Sequence, residues 1–210
     1  MKSDLENNKV TQPTELRDFF EWHQGIPYYG FWAIEIQHPE CLQRIKHCQE
    51  LFADKLHPNY LRQAHITLSA SGLLSENHFT DSALRQQIEK LNSANLPAFS
   101  LQLTEPNSFT TALYLSIQDP TYSLSLIRNL LHSISHAQDP SHYTPHATLG
   151  FYQQAYKISE LFTHISPLDF PPLKFAVTEI VFARYNTHEI QGRYEVLHRI
   201  ALKPSRNKSD

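Results

Sequence analysis

The sequence predicts an α+β fold with antiparallel sheets, built as an internally duplicated pair of lobes. Three observations predict it. A tetrapeptide occurs twice, as His65-Ile66-Thr67-Leu68 and as His146-Ala147-Thr148-Leu149. Each copy alternates polar and apolar residues as a short strand does. The order strand, helix, motif strand, helix in the first half then returns as strands, helix, motif strand in the second. Finally, 210 residues with 40% hydrophobic and 19% charged content can bury a substantial single core.

Taken in order, residues 1–25 form a polar N-terminal segment. It opens with Lys2, Ser3, Asp4 and Glu6 and lacks the apolar core of a signal peptide. Within it, Thr14 is placed to cap a short helix holding Phe19, Phe20 and Trp22, an aromatic group expected to dock on the domain. A single bilobed domain is expected over 26–203. Residues 29–36 are aromatic and β-branched and read as a strand. Pro39 suits the first turn of a helix reaching about Phe52, with Leu42, Ile45 and Leu51 as its apolar stripe. A loop over 56–59 leads to the first motif. Ser75 or Asp81 is the expected cap of the next helix, which carries Leu84, Ile88 and Leu91 and ends near Asn95 and Pro97.

In the second lobe, 99–103 and 112–117 read as strands, with Glu105-Pro106-Asn107-Ser108 as the loop between them. Thr121 begins a helix containing Leu124, Ile127, Leu130, Leu131 and Ile134. A polar loop over 138–141 precedes the second motif. Residues 158–162 form a short helix, 175–185 and 193–202 are closing strands, and 204–210 is a disordered tail.

A net charge of −3 argues against a generic nucleic-acid coat, yet leaves room for a small anionic substrate at a local cluster. Cys41 and Cys48 fall on one helix about 10 Å apart along its axis, too far for a disulfide, and read as reduced cytosolic thiols. No stretch reaches the roughly 18 apolar residues a membrane span needs. A cytoplasmic monomer without a membrane partner is the expectation.

On a strand, residues i and i+2 share a face. His65 therefore pairs with Thr67, and His146 with Thr148, while Ile66, Leu68, Ala147 and Leu149 point into a core. With 13 histidines in the chain, one His-x-Thr carries little information. Two copies with the same alternation point to a shared two-histidine site, with chance repetition as the alternative.

The paired motifs resemble those of the 2H phosphoesterase superfamily, which includes 2′-5′ RNA ligase-like proteins and cyclic nucleotide phosphodiesterases. Residues 29–36 resemble the family's opening strand, and 175–182 with 191–197 its closing hairpin. The resemblance implies two lobes of antiparallel sheet with outer helices, facing each other across a central cleft. It also implies a metal-independent reaction with no cofactor. In that chemistry a water or hydroxyl loses a proton, a leaving alkoxide gains one, and the phosphoryl oxygens are held. Histidine, with an ordinary pKa of about 6.5, suits both proton transfers. Family usage makes His146 the base and His65 the acid, with Thr67 and Thr148 as donors to the phosphoryl oxygens.

Further candidates surround the motifs. Arg62 is placed to meet phosphate, or is a surface arginine. Tyr143, Phe151 and Tyr152 flank the second motif and offer faces for stacking a base, or pack in the core. Arg184, Tyr185 and Tyr194 reach the cleft or pack in the closing strands. Some RNA ligase-like relatives carry a basic residue just after the second motif, where Gly150-Phe151-Tyr152 stands here. That departure favours a small nucleotide or short RNA end over long RNA. His142 and His146 have the spacing of a helical zinc pair, but Pro145 argues against a helix there. Five glycines supply no phosphate-cradling loop. Three functions follow: a metal-independent phosphodiesterase acting on a 2′,3′-cyclic or related nucleotide, an RNA-end enzyme acting on 2′-5′ linkages, and a non-catalytic nucleotide-binding module.

Overall fold

The computed structural model describes residues 9–134, 143–163, 165 and 169–204. Its elements are α1 (Phe20–His23), β1 (Tyr28–Glu35), α2 (Pro39–Leu51), β2 (His65–Leu73), α3 (Asp81–Ser93), β3 (Phe99–Ser108), β4 (Ala112–Gln118), α4 (Ser123–His132), β5 (His146–Phe151), α5 (Ile158–Leu161), β6 (Leu173–Val177), β7 (Glu179–Asn186) and β8 (Tyr194–Ala201). Two four-stranded sheets form, in the orders β2-β1-β7-β8 and β5-β4-β3-β6. Every neighbouring pair is antiparallel. Each motif strand is thus the edge of its sheet, beside the strand that precedes it in the chain. The two edges, β2 and β5, pack against one another.

The lobes share one core because their helices cross over. Helix α4 of the second lobe packs on β2, and α2 of the first packs on β5. Trp32 and Ile34 of β1 enter that core with Ile66 and Leu68 of β2, Leu101 and Leu103 of β3, and Ala147 and Leu149 of β5. The opposite face of the first sheet carries a smaller cluster of Phe31, Ala33, Val181, Ala183 and Tyr194. Alternation along β1 separates the two faces, and the second one continues to His65.

One buried polar link fastens the layers. Trp32 Nε1–H donates to Gln87 Oε1 at 2.7 Å, and Gln87 Nε2–H donates to the Leu131 carbonyl at 3.3 Å. Gln87→Leu fills the space but strands the indole N–H. We expect a loss of about 1–3 kcal/mol, read as a lower urea midpoint. An unchanged midpoint would mean the indole finds another acceptor.

Gly30 on β1 is required by space. A Cβ there would lie 2.6 Å from Leu74 Cδ2 and 2.7 Å from Phe182 Cζ. No described helix is long and apolar enough to cross a membrane. Both cysteines are buried and unpaired.

Several local expectations are corrected. Thr14 does not cap α1. Its hydroxyl donates to the Thr111 carbonyl, and Phe19 occupies the cap without a side-chain bond. Within α1 the buried side chain is His23, while Phe20 and Trp22 are 62% and 44% exposed and Trp22 meets the Tyr29 ring. Thr80, not Ser75 or Asp81, caps α3 by accepting from the Ala83 N–H. Ser75 instead bonds His78 Nδ1. The stretch read as a loop over 105–108 belongs to β3, which accommodates Pro106 at an irregularity in its pairing with β4. Helix α4 starts at Ser123, after Tyr122 adopts a left-handed φ of 56° and Asp119 Oδ2 accepts from the Leu124 N–H. Finally, 175–185 is not one strand. The chain leaves one sheet after Val177 and enters the other at Glu179.

The N-terminal segment bridges both lobes. Thr11, Gln12 and Thr14 bond through their N–H groups to Tyr156, Thr110 and Tyr152 of the second lobe. Asp18 reaches His188, beyond β7 of the first. The loop 138–141, His142 and the tail from 205 onward lie outside the described residues.

Candidate active site

The edge position of β2 and β5 gives each motif one buried face and one cleft face. Ile66, Leu68, Ala147 and Leu149 are 0–1% exposed. His65, Thr67, His146 and Thr148 are half-buried. Because the two edges pack together, the histidines converge. His146 is near enough for its charge to act on His65.

Both imidazoles are held in the same way. His65 Nδ1 lies 2.8 Å from the Gln63 carbonyl, and His146 Nδ1 lies 2.7 Å from the Thr144 carbonyl. A carbonyl only accepts, so each Nδ1 carries the hydrogen and each Nε2 keeps its lone pair. Neither Nε2 has a hydrogen-bonding partner among the described residues. Aromatic rings fix the planes. Phe31 and Tyr194 stand 5.4 and 5.3 Å from His65, while Phe109 and Tyr114 stand 4.7 and 5.4 Å from His146. Two unrelated sets of residues have built the same box.

Burial sets the charge state. It pushes the His65 imidazolium down to about 4, with the Arg62 and His146 charges adding to it and the Gln63 carbonyl opposing. Burial also lowers His146, again opposed by its carbonyl partner, Thr144. Both rings are therefore neutral at neutral pH. An anion bound between them favours the imidazolium and raises both values.

Thr67 Oγ1 has no acceptor among the described residues and is free to donate. The Thr148 side chain lies beside Tyr60, whose hydroxyl is pushed up by burial and pulled back by Arg62 and Thr148. Tyr60 also meets Phe151 edge-on at 5.7 Å. A cavity of about 210 Å³ opens from Thr67 and His146 toward Ser69, Phe109, Arg128 and Tyr143.

The flanking candidates divide. Tyr143 reaches the cleft, but as a brace: its hydroxyl donates to the Thr67 carbonyl at 2.9 Å, and the Arg128 guanidinium lies 3.7 Å above its ring. Arg62 is held from the side: its Nε and Nη2 groups donate to the carbonyls of Glu189, Ile190 and Gly192, and it stacks 4.1 Å over Tyr185. Its charge acts on His65. Tyr152 is a correction. It is fully buried, with its hydroxyl 2.7 Å from Ser108 Oγ, and offers no face to a base. Arg184 pairs with Glu195. Tyr194 lines His65 while donating to Glu35 Oε1. Sequence reasoning missed Tyr60, Phe109 and Arg128. Nothing near the motifs in the chain marks the last two, since the β3–β4 turn and α4 bring them in.

One group of residues elsewhere has metal-like proximity: Asp18, His23 and His188, with ligand atoms within 4.8 Å of one another. Its protons argue against a cation. The Gly25 N–H donates to His23 Nδ1, so Nε2 carries the hydrogen and donates to Asp18 Oδ1. A ligating histidine has the reverse arrangement, donating from the nitrogen that is not bound. The group works as a strap for the N-terminal segment.

Comparison with known proteins follows this geometry. The solved structure of Escherichia coli LigT is 21% identical, with 85% of this chain and 99% of that one covered and a TM-score of 0.57. A structure described as a phosphoesterase gives 21%, 84%, 99% and 0.58. A protein of Thermus thermophilus gives 15%, 84%, 99% and 0.55. Likeness at this identity concerns the fold. LigT has also been solved with 3′-AMP and with ATP. No curated protein matches the sequence. The family model of the 2′-5′ RNA ligase superfamily matches residues 35–189, which take in both histidine strands and the helices that cross between them, and the chain belongs to that superfamily.

Proposed function

We propose that this protein hydrolyses a 2′,3′-cyclic or related nucleotide phosphodiester, using His65 and His146 as an acid–base pair without a metal. Membership of the superfamily supports phosphodiesterase-type activity in general. The observation that carries the finer reading is the matched pair of imidazoles, each held at Nδ1 by a carbonyl so that Nε2 is the free proton-transfer atom. Water attacks phosphorus as one imidazole takes its proton, and the other imidazole protonates the leaving ribose oxygen. Thr67 and Thr148 donate to the non-bridging oxygens as charge builds there. The superfamily usage puts the base at His146 and the acid at His65. Burial works against a protonated His65, so that acid gains its proton once the substrate phosphate is beside it.

A small nucleotide suits the cleft better than long RNA. The chain is acidic overall, and Gly150-Phe151-Tyr152 stand just after the second motif in place of a cation. That LigT has been solved with 3′-AMP and ATP supports the same substrate class. The test is a panel of 2′,3′-cyclic nucleotides and 2′-5′-linked oligonucleotides with EDTA present. We expect cyclic nucleotides to open to monophosphates in chelator. Activity that vanishes with EDTA and returns with zinc or manganese would replace this reading with a metal-dependent one.

The pH dependence follows from the two depressed imidazoles. The competent pair holds one proton. It is lost as pH rises past the higher macroscopic pKa, and a second is gained as pH falls past the lower one. Both lie below the ordinary 6.5 in the free enzyme, His65 near 4. The bell of kcat/KM should therefore peak on the acid side of about 6.5, whereas bound phosphate moves the kcat bell upward. Coincident bells centred above pH 7 would show that burial does not govern this pair.

A further inference from the structure

We propose that Arg128, with Ser69, forms a second anion subsite in the cleft, which holds another phosphate of the substrate next to the one being cleaved. The inference rests on the phosphodiester reading and narrows its substrate to a nucleotide with two phosphates.

Arg128 is 7% exposed, yet among the described residues it forms no ion pair. Arg17, Arg184 and Arg199 all lie against carboxylates. Arg62 has three carbonyls. Among the described residues Arg128 has a single acceptor, the Leu68 carbonyl, for one of its five N–H groups. A buried cation without a counter-charge is costly, and the cost lowers the pKa of this guanidinium. A bound anion relieves it.

The placement fits a particular anion. Arg128 comes from α4 of the second lobe and lies across β2 of the first. It lines the cavity of about 210 Å³ that also contains Thr67 and His146. Thr67 and Ser69 lie two residues apart on β2, across an irregularity in its pairing with β1, and both line this cavity. A phosphate held at Thr67 and His146 thus has the guanidinium and the Ser69 hydroxyl within the reach of a second, linked phosphate. The stack on Tyr143, itself tied to the Thr67 carbonyl, keeps the guanidinium plane fixed. A planar fork of this kind matches phosphate oxygens two at a time. Ser69 Oγ is oriented by His132 Nε2 at 3.2 Å.

Pyrophosphate and inorganic phosphate, titrated calorimetrically in EDTA at fixed ionic strength, test the subsite. Wild type should prefer pyrophosphate. Arg128→Met should weaken pyrophosphate on the order of 10- to 100-fold, the worth of hydrogen bonds to a charged group, and erase the preference. Thr67→Ala should also weaken it, because one ligand spans both positions. Arg128→Lys keeps the cation and its stem. It should fold even if the Met variant does not, and should lose part of the affinity because it lacks the fork. The proposal is overturned if wild type shows no preference, if Arg128→Lys binds pyrophosphate as wild type does, or if Thr67→Ala has no effect on it. Turnover of cyclic nucleotides is scored separately. Absent turnover with pyrophosphate binding still dependent on Arg128 and Thr67 removes the proposed reaction and leaves the subsite standing.

Discussion

His65→Ala and His146→Ala are each expected to slow turnover of a 2′,3′-cyclic nucleotide by roughly 10²–10⁴-fold, the usual worth of a positioned general acid or base. The double variant should be only slightly worse than either single one. The reaction needs both proton transfers, so the first loss already breaks the unit. Stability should not fall with activity. Each ring is half-buried, and its single protein bond goes to a carbonyl at the strand entrance, Gln63 or Thr144. Removing an imidazole that burial holds neutral also removes a group that must be desolvated on folding. Steady-state kinetics with circular dichroism as the control decides the matter. A folded single variant with near-wild-type turnover ends the two-histidine mechanism and leaves a nucleotide-binding module as the better account.

What the sequence could carry is set by range. The two motif strands were legible because alternation is local: Ile66 and Leu68 go inward on the same residues that put His65 and Thr67 outward. The apolar stripe of α3 was legible for the same reason, but that of α2 was not: Leu42 and Leu51 are exposed, and Cys41 and Cys48 join Ile45 in the core. What failed depended on distant chain. Residues 175–185 are a continuous β-forming run, and only the positions of β3 and β8 decide that Val177 and Glu179 pair in different sheets. Arg62 was left open between phosphate and surface, and a turn more than a hundred residues later takes its Nε and Nη2 donors. Tyr152 follows the motif as a surface aromatic would, but the chain after β5 folds inward to Ser108. Arg128 sits among Leu124, Ile127 and Leu131 on α4 and has the look of a solvated charge. It is buried because α4 packs on the other lobe's motif strand. The crossing of helices between lobes, invisible to periodicity, is what joins two legible half-sites to residues that were not.

Thr67→Ala and Thr148→Ala should cost less than the histidines, roughly 10–10³-fold in kcat, since each removes one donor to the charge that builds on the phosphoryl oxygens. The two should not be equal. Thr67 has no acceptor for its hydroxyl among the described residues, and its backbone carbonyl is tied to Tyr143, so its donor sits on an anchored strand and is open to substrate. Thr148 lies beside the Tyr60 hydroxyl, a second donor that remains after the substitution. We therefore expect the larger loss at Thr67. Tyr60→Phe alone should be mild, and combined with Thr148→Ala it should bring that position down toward the Thr67 value. Substitution by serine, which keeps the hydroxyl, should restore most of the rate at either site. The split between kcat and KM carries the inference: a donor used mainly in the transition state lowers kcat and kcat/KM together and leaves KM nearly alone. If Thr67→Ala raised KM without lowering kcat, the hydroxyl would be a ground-state binding group, and charge stabilisation in this cleft would have to come from Arg128 and the protonated imidazole.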